Sequence, residues 1–317
     1  MRHLFVMDPL SRINVAGDST YVVMRACCDR GHSVLMCEPS HLYALAGRAR
    51  ARAQPVNVTA APPHFAPSPA VDIDLSEVDV VWMRKDPPFD MRYVFCTYLL
   101  DLAPPETLVV NNPIGLKVFN EKIWAMQFAD LHPPTLLSSD PAKVLEFIRA
   151  QPGRTVLKPW DGNGGRGILV TEGTDPNVRS MIELLTLDGA EAVIAQPYLA
   201  AIREGDKRIM LFDGEPVGAM LRIPAPDDNR GNMHVGASTV ACDLTPRDLQ
   251  ICARLAPALV EHGQVWVGID VIGDYLTEIN ITSPTGFQEI RQLTGKVLED
   301  PLVDLVEQHL VRHREAQ

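Results

Sequence analysis

The stretch that decides the fold reads Gly268-Ile-Asp-Val-Ile-Gly-Asp-Tyr-Leu-Thr-Glu-Ile-Asn280. Apolar residues lie on both sides of a Gly273-Asp274 turn, which predicts a buried β-hairpin. Residues i and i+2 of a strand point to the same face, so Glu278 and Asn280 project together. The turn can fold Asp270 back beside them. The hairpin therefore gathers three oxygen-bearing side chains on one face.

This set of oxygen donors has two interpretations. Two carboxylates and an amide oxygen suit Mg²⁺ that holds the phosphates of a nucleotide. A solvated hairpin face is the alternative, because it accounts for most carboxylates on strands. The apolar neighbours Val271, Ile272, Ile279 and Ile281 argue against easy solvation. Spacing by itself leaves both interpretations open.

A glycine-rich segment precedes the hairpin and reads Lys158-Pro-Trp-Asp-Gly-Asn-Gly-Gly-Arg-Gly167. Glycines let backbone N–H groups approach phosphate oxygens, and the lysine adds positive charge. The segment is neither a Walker A motif, because no Gly-Lys-Ser/Thr follows, nor the dinucleotide fingerprint, because a strand follows the loop. A flexible hairpin is the alternative. Lys158 at the end of a strand favours phosphate binding.

Basic residues recur beside turns that contain glycine or proline, at Lys122, Lys207, Arg208, Arg222 and Arg230. Each of them taken singly reads as an ordinary surface charge. The formal net charge of the chain is −11, however. Several cations at turns of such an acidic protein point to an anionic ligand.

Alternating strand and helix patterns organise residues 1–120 and predict a parallel α/β sheet. Asp18 or Ser19 caps a helix there, and Gly31 fits the position after its end. The proline-rich segment 60–70 predicts a connecting loop. The expected strands are residues 3–7, 33–37, 78–83, 108–110, 135–137, 155–157, 168–171, 207–212, 217–223, 265–271 and 276–281. The expected later helices are residues 141–150 and 246–262.

Length and composition bound the remaining alternatives. A chain of 317 residues with 46% hydrophobic residues can form two or three domains. Its acidic charge argues against nucleic-acid binding. The first apolar run ends at Asp8, and no stretch approaches the roughly 18 apolar residues of a membrane helix. Six cysteines without a CxxC pair predict free thiols in a cytoplasmic protein. His309 and His313 lie in a polar C-terminal tail, where the frayed end of a helix accounts for them better than a metal site does.

Together these residues resemble the ATP-grasp superfamily and, in detail, prokaryotic-type glutathione synthetases. The most specific runs are Met83-Arg-Lys-Asp-Pro-Pro-Phe-Asp90 and Thr277-Glu-Ile-Asn-Ile-Thr-Ser-Pro-Thr285. The other matching runs are Val6-Met-Asp-Pro9, Ile13-Asn14, Asp18-Ser19, Asn120-Glu-Lys122, Leu157-Lys-Pro159, Asp161-Gly162, Gly164-Gly165, Gly205-Asp-Lys-Arg208, Asp213-Gly-Glu-Pro216, Arg222-Ile-Pro224 and Arg230-Gly-Asn232. The resemblance thus extends over nearly the whole chain.

The resemblance implies a mixed α/β architecture, the ATP-grasp fold. Residues 1–120 would form an N-terminal parallel-sheet domain, residues 121–201 a central lid, and residues 202–317 a C-terminal subdomain, with ATP between the last two. ATP would phosphorylate the C-terminal carboxylate of γ-glutamylcysteine, and the amine of glycine would attack the acylphosphate. Such a site needs metal ions and cations rather than a nucleophilic side chain.

The resemblance also assigns roles to single residues. The ATP-binding residues would be Lys122, Lys158, Gly164, Gly165, Gln196, Tyr198, Leu199 and Asp206. Asp270, Glu278 and Asn280 would bind two Mg²⁺, with Mn²⁺ as an alternative ion. The catalytic arginines would be Arg208, Arg222 and Arg230. The substrate-binding residues would be Asp18, Ser19, Arg84, Arg230, Asn232, Gly236 and Ala237. We further expect a homo-oligomer that contacts neither nucleic acid nor membrane.

The chain departs from the family pattern at two places. Gly236-Ala237 stands where the family has Gly-Gly, and Pro197 replaces a polar residue. The loop near residue 236 contacts substrate in the family, so one alternative is a related ATP-grasp ligase that joins another acid or amine. A non-catalytic ATP-binding protein is a second alternative. The intact Lys122, Lys158 and Glu278 argue against it.

Overall fold

The strands of this computed structural model, which describes residues 1–226 and 237–315, form three β-sheets within those ranges. The strands are β1 (Arg2–Val6), β2 (Ser33–Cys37), β3 (Leu42–Leu45), β4 (Arg48–Val58), β5 (Phe65–Pro67), β6 (Val71–Asp74), β7 (Val80–Met83), β8 (Leu108–Val110), β9 (Leu136–Ser138), β10 (Thr155–Pro159), β11 (Leu169–Thr171), β12 (Val193–Pro197), β13 (Asp206–Phe212), β14 (Glu215–Ile223), β15 (Ser238–Ala241), β16 (Trp266–Ile272) and β17 (Tyr275–Asn280). The helices are α1 (Ser19–Asp29), α2 (Met91–Leu100), α3 (Pro113–Val118), α4 (Pro141–Ala150), α5 (Val178–Thr186), α6 (Pro246–Glu261), α7 (Phe287–Thr294) and α8 (Glu299–Glu315).

The first sheet has the strand order β3-β4-β2-β1-β7-β8, and β5 and β6 pair with β4. Strands β2, β1, β7 and β8 are parallel, as the sequence predicted, whereas β4 runs antiparallel to β2 and makes the sheet mixed. Asp18 begins α1, because its Oδ1 accepts a hydrogen bond from the Tyr21 N–H at 2.7 Å. Gly31 follows the end of α1 with a φ of 76°, a conformation that glycine adopts without a steric penalty.

The proline-rich segment 60–70 differs from the predicted loop. Phe65–Pro67 forms β5 and pairs antiparallel with β4. The ring of Phe65 also packs edge-on against Tyr21, with 5.6 Å between centroids. The long strand β4 has backbone N–H and C=O groups at its edge, and β5 pairs with them although its prolines leave it few N–H donors. The prediction of a loop without a strand was wrong.

The second sheet is antiparallel, with the order β11-β10-β12-β9. Helices α4 and α5 cover it and enclose a core of their own, which contains Val144, Ile148, Leu157, Ile182 and Val193. This core is separate from the two clusters that hold the first and third sheets together. The four-stranded sheet with α4 and α5 is called the lid below.

The third sheet is antiparallel, with the order β15-β14-β13-β16-β17. Its two hairpins are the ones expected from the sequence. Asp213 and Gly214 join β13 to β14 with φ values of 48° and 80°, the left-handed pair of a type I′ turn. In the other hairpin, Asp270 lies opposite Glu278. The decisive hairpin therefore has the register that brings its carboxylates together.

The C-terminal segment is helical, as the sequence analysis expected, but it is a packed helix rather than a frayed end. Helix α8 extends to Glu315 and buries Leu302, Val303, Val306 and Leu310. It packs on α1, and His309 Nε2 lies 2.6 Å from Asp213 Oδ2. The sequence analysis recognised a helix end but not this packed face, because the many charged residues of the segment hid its apolar stripe.

Two further expectations concern cysteines and membranes. All six cysteines are free, as predicted. No helix within residues 1–226 and 237–315 is both long and apolar enough to cross a membrane. The predicted domain boundaries at residues 120 and 201 stay predictions. They are compatible with the sheets, whose strands occupy residues 2–110, 136–197 and 206–280.

Candidate active site

Most of the predicted nucleotide and metal residues line one cleft between the lid and the third sheet. Those that line it are Lys122, Lys158, Gly164, Gly165, Gln196, Tyr198, Leu199, Asp206, Asp270 and Glu278. Apolar side chains complete the wall, namely Val156, Ile168, Val170, Ile202 and Ile272. The sequence analysis missed these apolar residues because they look like ordinary strand or core residues. Apolar walls with a few charged groups are typical of a small-molecule site.

Lys158 is the least compensated charge of the cleft. It lies near the end of β10, and no carboxylate of the described residues is within ion-pair distance of its ammonium group. Burial, together with the charge of Lys122, lowers the pKa of Lys158 to about 8. Lys158 is half-buried, and a desolvated lysine without an ion-pair partner is costly for folding alone and is characteristic of functional sites.

Lys122 connects the glycine-rich loop to the acidic hairpin. Its Nζ donates a hydrogen bond to the Gly162 carbonyl oxygen and lies 2.6 Å from Glu278 Oε1. Burial acts to lower the pKa of Lys122, but the Glu278 and Glu121 carboxylates outweigh burial and raise it. Lys122 therefore stays protonated at neutral pH.

Asp270 is held by two arginines from the neighbouring strands. Arg208 binds it in a bidentate manner, with Nε 2.5 Å from Oδ1 and Nη2 3.0 Å from Oδ2. Arg222 Nη2 lies 3.0 Å from Asp270 Oδ1 and 2.5 Å from Asp206 Oδ2. Cross-strand register produces these pairs, because Arg208 lies opposite Asp270 and Arg222 opposite Asp206. The two arginines thus reach the acidic face of the hairpin.

Burial and charge act in opposite directions on these carboxylates. Burial acts to raise the pKa of Asp270, but Arg208 and Arg222 hold it well below its usual range. Burial raises the pKa of Asp206 to about 6 despite the adjacent Arg222. Asp206 Oδ1 is fully buried and accepts no hydrogen bond within the described residues. The side chain lines the cleft and retains acceptor capacity that no described residue uses.

The donor set of the hairpin fits a divalent cation. Asp270 and Glu278 supply carboxylate oxygens, and Asn280 lies beside them, with Nδ2 3.3 Å from Asp270 Oδ2. These are hard oxygen ligands, the type that Mg²⁺ prefers. The buried neighbours expected from the sequence are present, since Val271, Ile279 and Ile281 are at most 2% exposed. The interpretation as a solvated hairpin face is thereby weakened.

Glu121 is a half-buried acid of the site whose role the sequence analysis did not recognise. Its Oε1 accepts hydrogen bonds from the Ile281 N–H at 2.9 Å, the Thr282 N–H at 3.0 Å and Thr282 Oγ1 at 2.9 Å. Its backbone oxygen accepts from the Ile279 N–H at 2.9 Å. Through these hydrogen bonds Glu121 holds the end of β17 beside Lys122. The run Asn120-Glu-Lys122 was noticed in the sequence, but only its lysine received a role.

A second cavity lies at the carboxyl end of the first sheet. Its lining comprises Met7, Asp8, Arg12, Ile13, Asp18, Thr20, Arg84, Asp86 and Pro87. The guanidinium of Arg84 stacks 3.6 Å above the ring of Trp266 and donates to the Pro284 carbonyl at 2.9 Å. Burial lowers the pKa of Arg84 to about 10 and raises the pKa of Asp18. An acid and a base in one cavity suit a ligand that carries both charges.

The remaining predicted substrate residues lie elsewhere. Ser19 is fully buried, and its hydroxyl accepts from the Gly286 and Phe287 N–H groups at 3.1 and 3.2 Å. It caps α7 and does not line the second cavity. Arg230, Asn232 and Gly236 lie outside the described residues. Ala237 directly precedes β15. The roles predicted for these residues stay predictions.

Comparisons with known proteins identify two matching family models. The model for the prokaryotic glutathione synthetase N-terminal domain matches residues 1–117. The model for the prokaryotic glutathione synthetase ATP-grasp domain matches residues 121–295. The two matches together account for most of the chain.

Similar proteins include three bacterial glutathione synthetases. The one from Brucella melitensis is 44% identical over 302 residues, which cover 95% of this chain and 96% of the relative. The one from Agrobacterium fabrum is 43% identical over 312 residues, covering 98% and 96%. The one from Gloeobacter violaceus is 45% identical over 311 residues, covering 96% of each.

Similar solved structures are ATP-grasp ligases. The D-cycloserine synthetase DcsG has a TM-score of 0.70 at 15% identity. The alignment covers 97% of this chain and 99% of DcsG. The ATP-grasp ligase PsnB, complexed with minimal precursor, Mg and ADP, has a TM-score of 0.60 at 16% identity, with coverages of 98% and 96%. At such low identity these likenesses concern the fold alone, and they confirm the expected ATP-grasp fold.

Proposed function

Because this chain belongs to the prokaryotic glutathione synthetase family, we propose that its cleft joins γ-glutamylcysteine to glycine and converts ATP to ADP and phosphate. The enzyme is an ATP-dependent ligase that forms glutathione. One observation carries this function, the partly buried Lys158, which faces the acidic hairpin without an ion-pair partner among the described residues. The cleft is therefore built to receive a strongly anionic ligand.

Lys158 and Lys122 are suited to hold the phosphates of ATP. Both line the cleft beside Gly164 and Gly165, whose φ values of 60° and 76° are left-handed. Glycine permits this backbone to approach a phosphate closely. The adenine would lie near Gln196, Tyr198 and Leu199 between the apolar walls, and the Asp206 carboxylate would accept a ribose hydroxyl.

Arg208 and Arg222 are the catalytic arginines of this proposal. They are only 7% and 2% exposed, so their charges act in a region with little water. Positive charge fixed in advance near a transferring phosphoryl group stabilises the transition state without reorganisation. The enzyme then needs no nucleophilic side chain, because orientation of the carboxylate, the phosphate and the amine supplies the rest.

The metal proposal is two Mg²⁺ at Asp270, Glu278 and Asn280, with Mn²⁺ as an alternative. The acidic groups Glu121, Asp206, Asp270 and Glu278 are matched by the basic groups Lys122, Lys158, Arg208 and Arg222, so formal charges cancel before ATP enters. Two bound divalent ions would neutralise the charge that ATP adds. Their removal by a chelator should stop ADP formation.

The substrate proposal places γ-glutamylcysteine against the second cavity. Arg84 is suited to its amino-acid carboxylate and Asp18 to its ammonium group. Ser19 would act by holding α7, since its hydroxyl is already engaged. Substrate contacts by Arg230, Asn232, Gly236 and Ala237 belong to the same proposal and rest on the family resemblance.

A related ligase with another acid or amine is the second candidate. Ala237 at the position of a family glycine is the observation that favours it. A panel of dipeptides and amines, with ADP release as the readout, separates the two candidates. Preferential ligation of an amine other than glycine would favour the second candidate.

Lys158→Met tests the cleft itself, and Lys143→Met is a matched control because Lys143 is exposed on the same lid. Loss of a charge that stabilises the transferring phosphoryl group should lower kcat/KM for ATP by about a hundredfold or more. The control should keep wild-type values. Equal ADP release by both folded variants would contradict the proposed site.

We also propose a cytoplasmic homo-oligomer. Helices α2 and α3 contact each other and present an exposed apolar surface formed by Met91, Phe95, Tyr98, Ile114 and Val118. A surface of this kind is typical of an interface between subunits. Light scattering of Phe95→Glu should give a smaller particle than the wild type. An unchanged mass would remove this surface from the proposal.

A further inference from the structure

The amide of Gln196 faces two side chains behind the cleft. Its Nε2 lies 2.9 Å from Thr135 Oγ1 and 3.4 Å from His132 Nε2. Gln196 itself lines the cleft. No described residue donates a hydrogen bond to its Oε1, and this atom is not among the fully buried atoms that lack a partner. Oε1 is therefore open to the cleft.

One backbone carbonyl fixes the direction of these hydrogen bonds. The Pro133 oxygen lies 2.7 Å from Thr135 Oγ1 and 3.1 Å from His132 Nδ1. A carbonyl oxygen can only accept, so both neighbours donate to it. Thr135 has one hydroxyl hydrogen, and a neutral histidine has one N–H. Thr135 Oγ1 and His132 Nε2 are then left as acceptors.

His132 is neutral in this environment. Burial, with a further contribution from the charge of Lys158, lowers the pKa of His132 to about 4. The neutral ring with its proton on Nδ1 has a free lone pair on Nε2. The Thr135 oxygen, 3.0 Å from Nδ1, can share that proton without changing the direction of the network.

These directions determine the orientation of the Gln196 amide. Both acceptors require an N–H donor, which only the amide nitrogen provides. The flipped amide would place Oε1 against two acceptors and lose both hydrogen bonds in a buried region, which is costly. Gln196 Oε1 is consequently held as an acceptor that points into the cleft.

We propose that His132 and Thr135, acting through Gln196, make the cleft select a purine that offers an N–H donor at this point. Adenine offers its exocyclic amine there, whereas guanine offers a carbonyl oxygen. A guanine base would place its carbonyl oxygen against Gln196 Oε1, so that two acceptors would face each other. An unpaired polar contact of this kind strongly lowers the affinity for the wrong base. Of the proposed function, this inference needs only that the cleft binds a purine nucleotide. His132 and Thr135 are positioning residues, since neither touches the base.

Thr135→Val removes one acceptor and keeps the shape of the side chain. Thr186→Val is the control, because Thr186 is a buried threonine of helix α5 in the lid, and its hydroxyl donates to the Ile182 carbonyl instead of to a group near the cleft. Calorimetry with ATP·Mg²⁺ and GTP·Mg²⁺ measures binding without ligation. The affinity ratio of ATP to GTP should fall by about tenfold in Thr135→Val, the effect of roughly one hydrogen bond. It should not change in the control. An unchanged ratio in a folded Thr135→Val protein would overturn the proposal.

The tautomer of His132 tests the same network in the wild-type protein. Nitrogen-15 NMR, with the signal assigned by comparison with His132→Asn, should show a neutral ring protonated on Nδ1 between pH 6 and 8. A proton on Nε2 would overturn the proposal even if Thr135→Val failed to fold. A wild-type protein that prefers ATP and shows this tautomer, yet forms no glutathione, would refute the proposed function and leave this inference standing.

Discussion

At the scale of single residues, the carboxylate of Glu278 joins the metal site to Lys122. Glu278→Gln keeps the size of the side chain but removes its charge. We expect ADP formation to fall by about a hundredfold or more, because the cation that neutralises the phosphates would be held less tightly. The melting temperature should stay close to wild type. Normal turnover by the folded variant would refute the metal assignment. Glu183→Gln, an exposed change on α5, is the control.

Lys158 predicts a specific pH dependence of ATP binding. Its pKa in the free protein is lowered to about 8, and bound phosphates would raise it. Below pH 8 the lysine is already protonated, so affinity should be flat. Above pH 8 binding requires proton uptake, so affinity should fall by up to about tenfold per pH unit. Calorimetry from pH 7 to 9.5 measures this slope. Lys158→Arg should flatten it, because arginine stays charged, and an equal slope in that variant would contradict the assignment.

The sequence predicted some site residues and not others for a physical reason. Lys158 and Glu278 were predictable because their residue type and the strand period determine their direction. Glu121 and His132 were not, because their partners Thr282 and Gln196 lie 161 and 64 positions away. Such contacts depend on how separate elements pack, which local patterns do not encode.

At the scale of elements, the loop between β10 and β11 should respond to nucleotide. Arg166 is exposed in this loop and offers a cleavage site for trypsin. ATP·Mg²⁺ should slow cleavage there, since phosphates would engage the backbone at Gly164 and Gly165. Adenosine is the control, because it fills the base region without reaching the loop. Equal cleavage with and without ATP·Mg²⁺ would count against the phosphate-binding role of the loop.

The end of β17 depends on the Glu121 carboxylate. Glu121→Ala leaves three buried donors of Ile281 and Thr282 without their acceptor. The free energy of unfolding should fall by about 2 to 4 kcal/mol, the cost of unsatisfied buried groups. Glu121→Gln retains an acceptor oxygen and should lose much less. Urea denaturation measures both variants. Equal losses would show that charge, and not hydrogen bonding, explains the role of Glu121.

Many elements followed from local sequence, but several were not expected, among them β3, β4, β6, β12, α2 and α5. Capping residues, turn residues and the spacing of apolar residues predicted α1, α4 and both hairpins of the third sheet. Strand β5 was missed because the edge of β4 recruits it, which is a tertiary effect. Helix α8 was expected only as a frayed helix end, because its packed apolar stripe is explained only by its contact with α1. Both differences arose where a distant surface decides the local structure.

At the scale of the whole molecule, the separate core of the lid predicts separate local stability. The first and third sheets share their hydrophobic clusters, whereas the lid encloses its own. Native-state hydrogen exchange should therefore show the amides of β9 to β12 opening together, at a lower free energy than those of β1 and β16. ATP·Mg²⁺ should slow exchange across the lid. Identical opening energies for all three sheets would contradict this division.

The self-contained core of the lid also has a consequence for protein engineering. A segment that encloses its own hydrophobic core can be exchanged between homologues as a unit, because its packing contacts move with it. A segment whose core is shared with other parts of the chain cannot. A chimera with residues 136–197 taken from a 44% identical relative should fold and keep its choice of acid and amine. Exchange of β1 to β8 alone would break the packing between Trp82 and Trp266, whose centroids are 6.4 Å apart. New substrates are therefore better sought by redesigning the walls of the second cavity in place than by transplanting the first sheet.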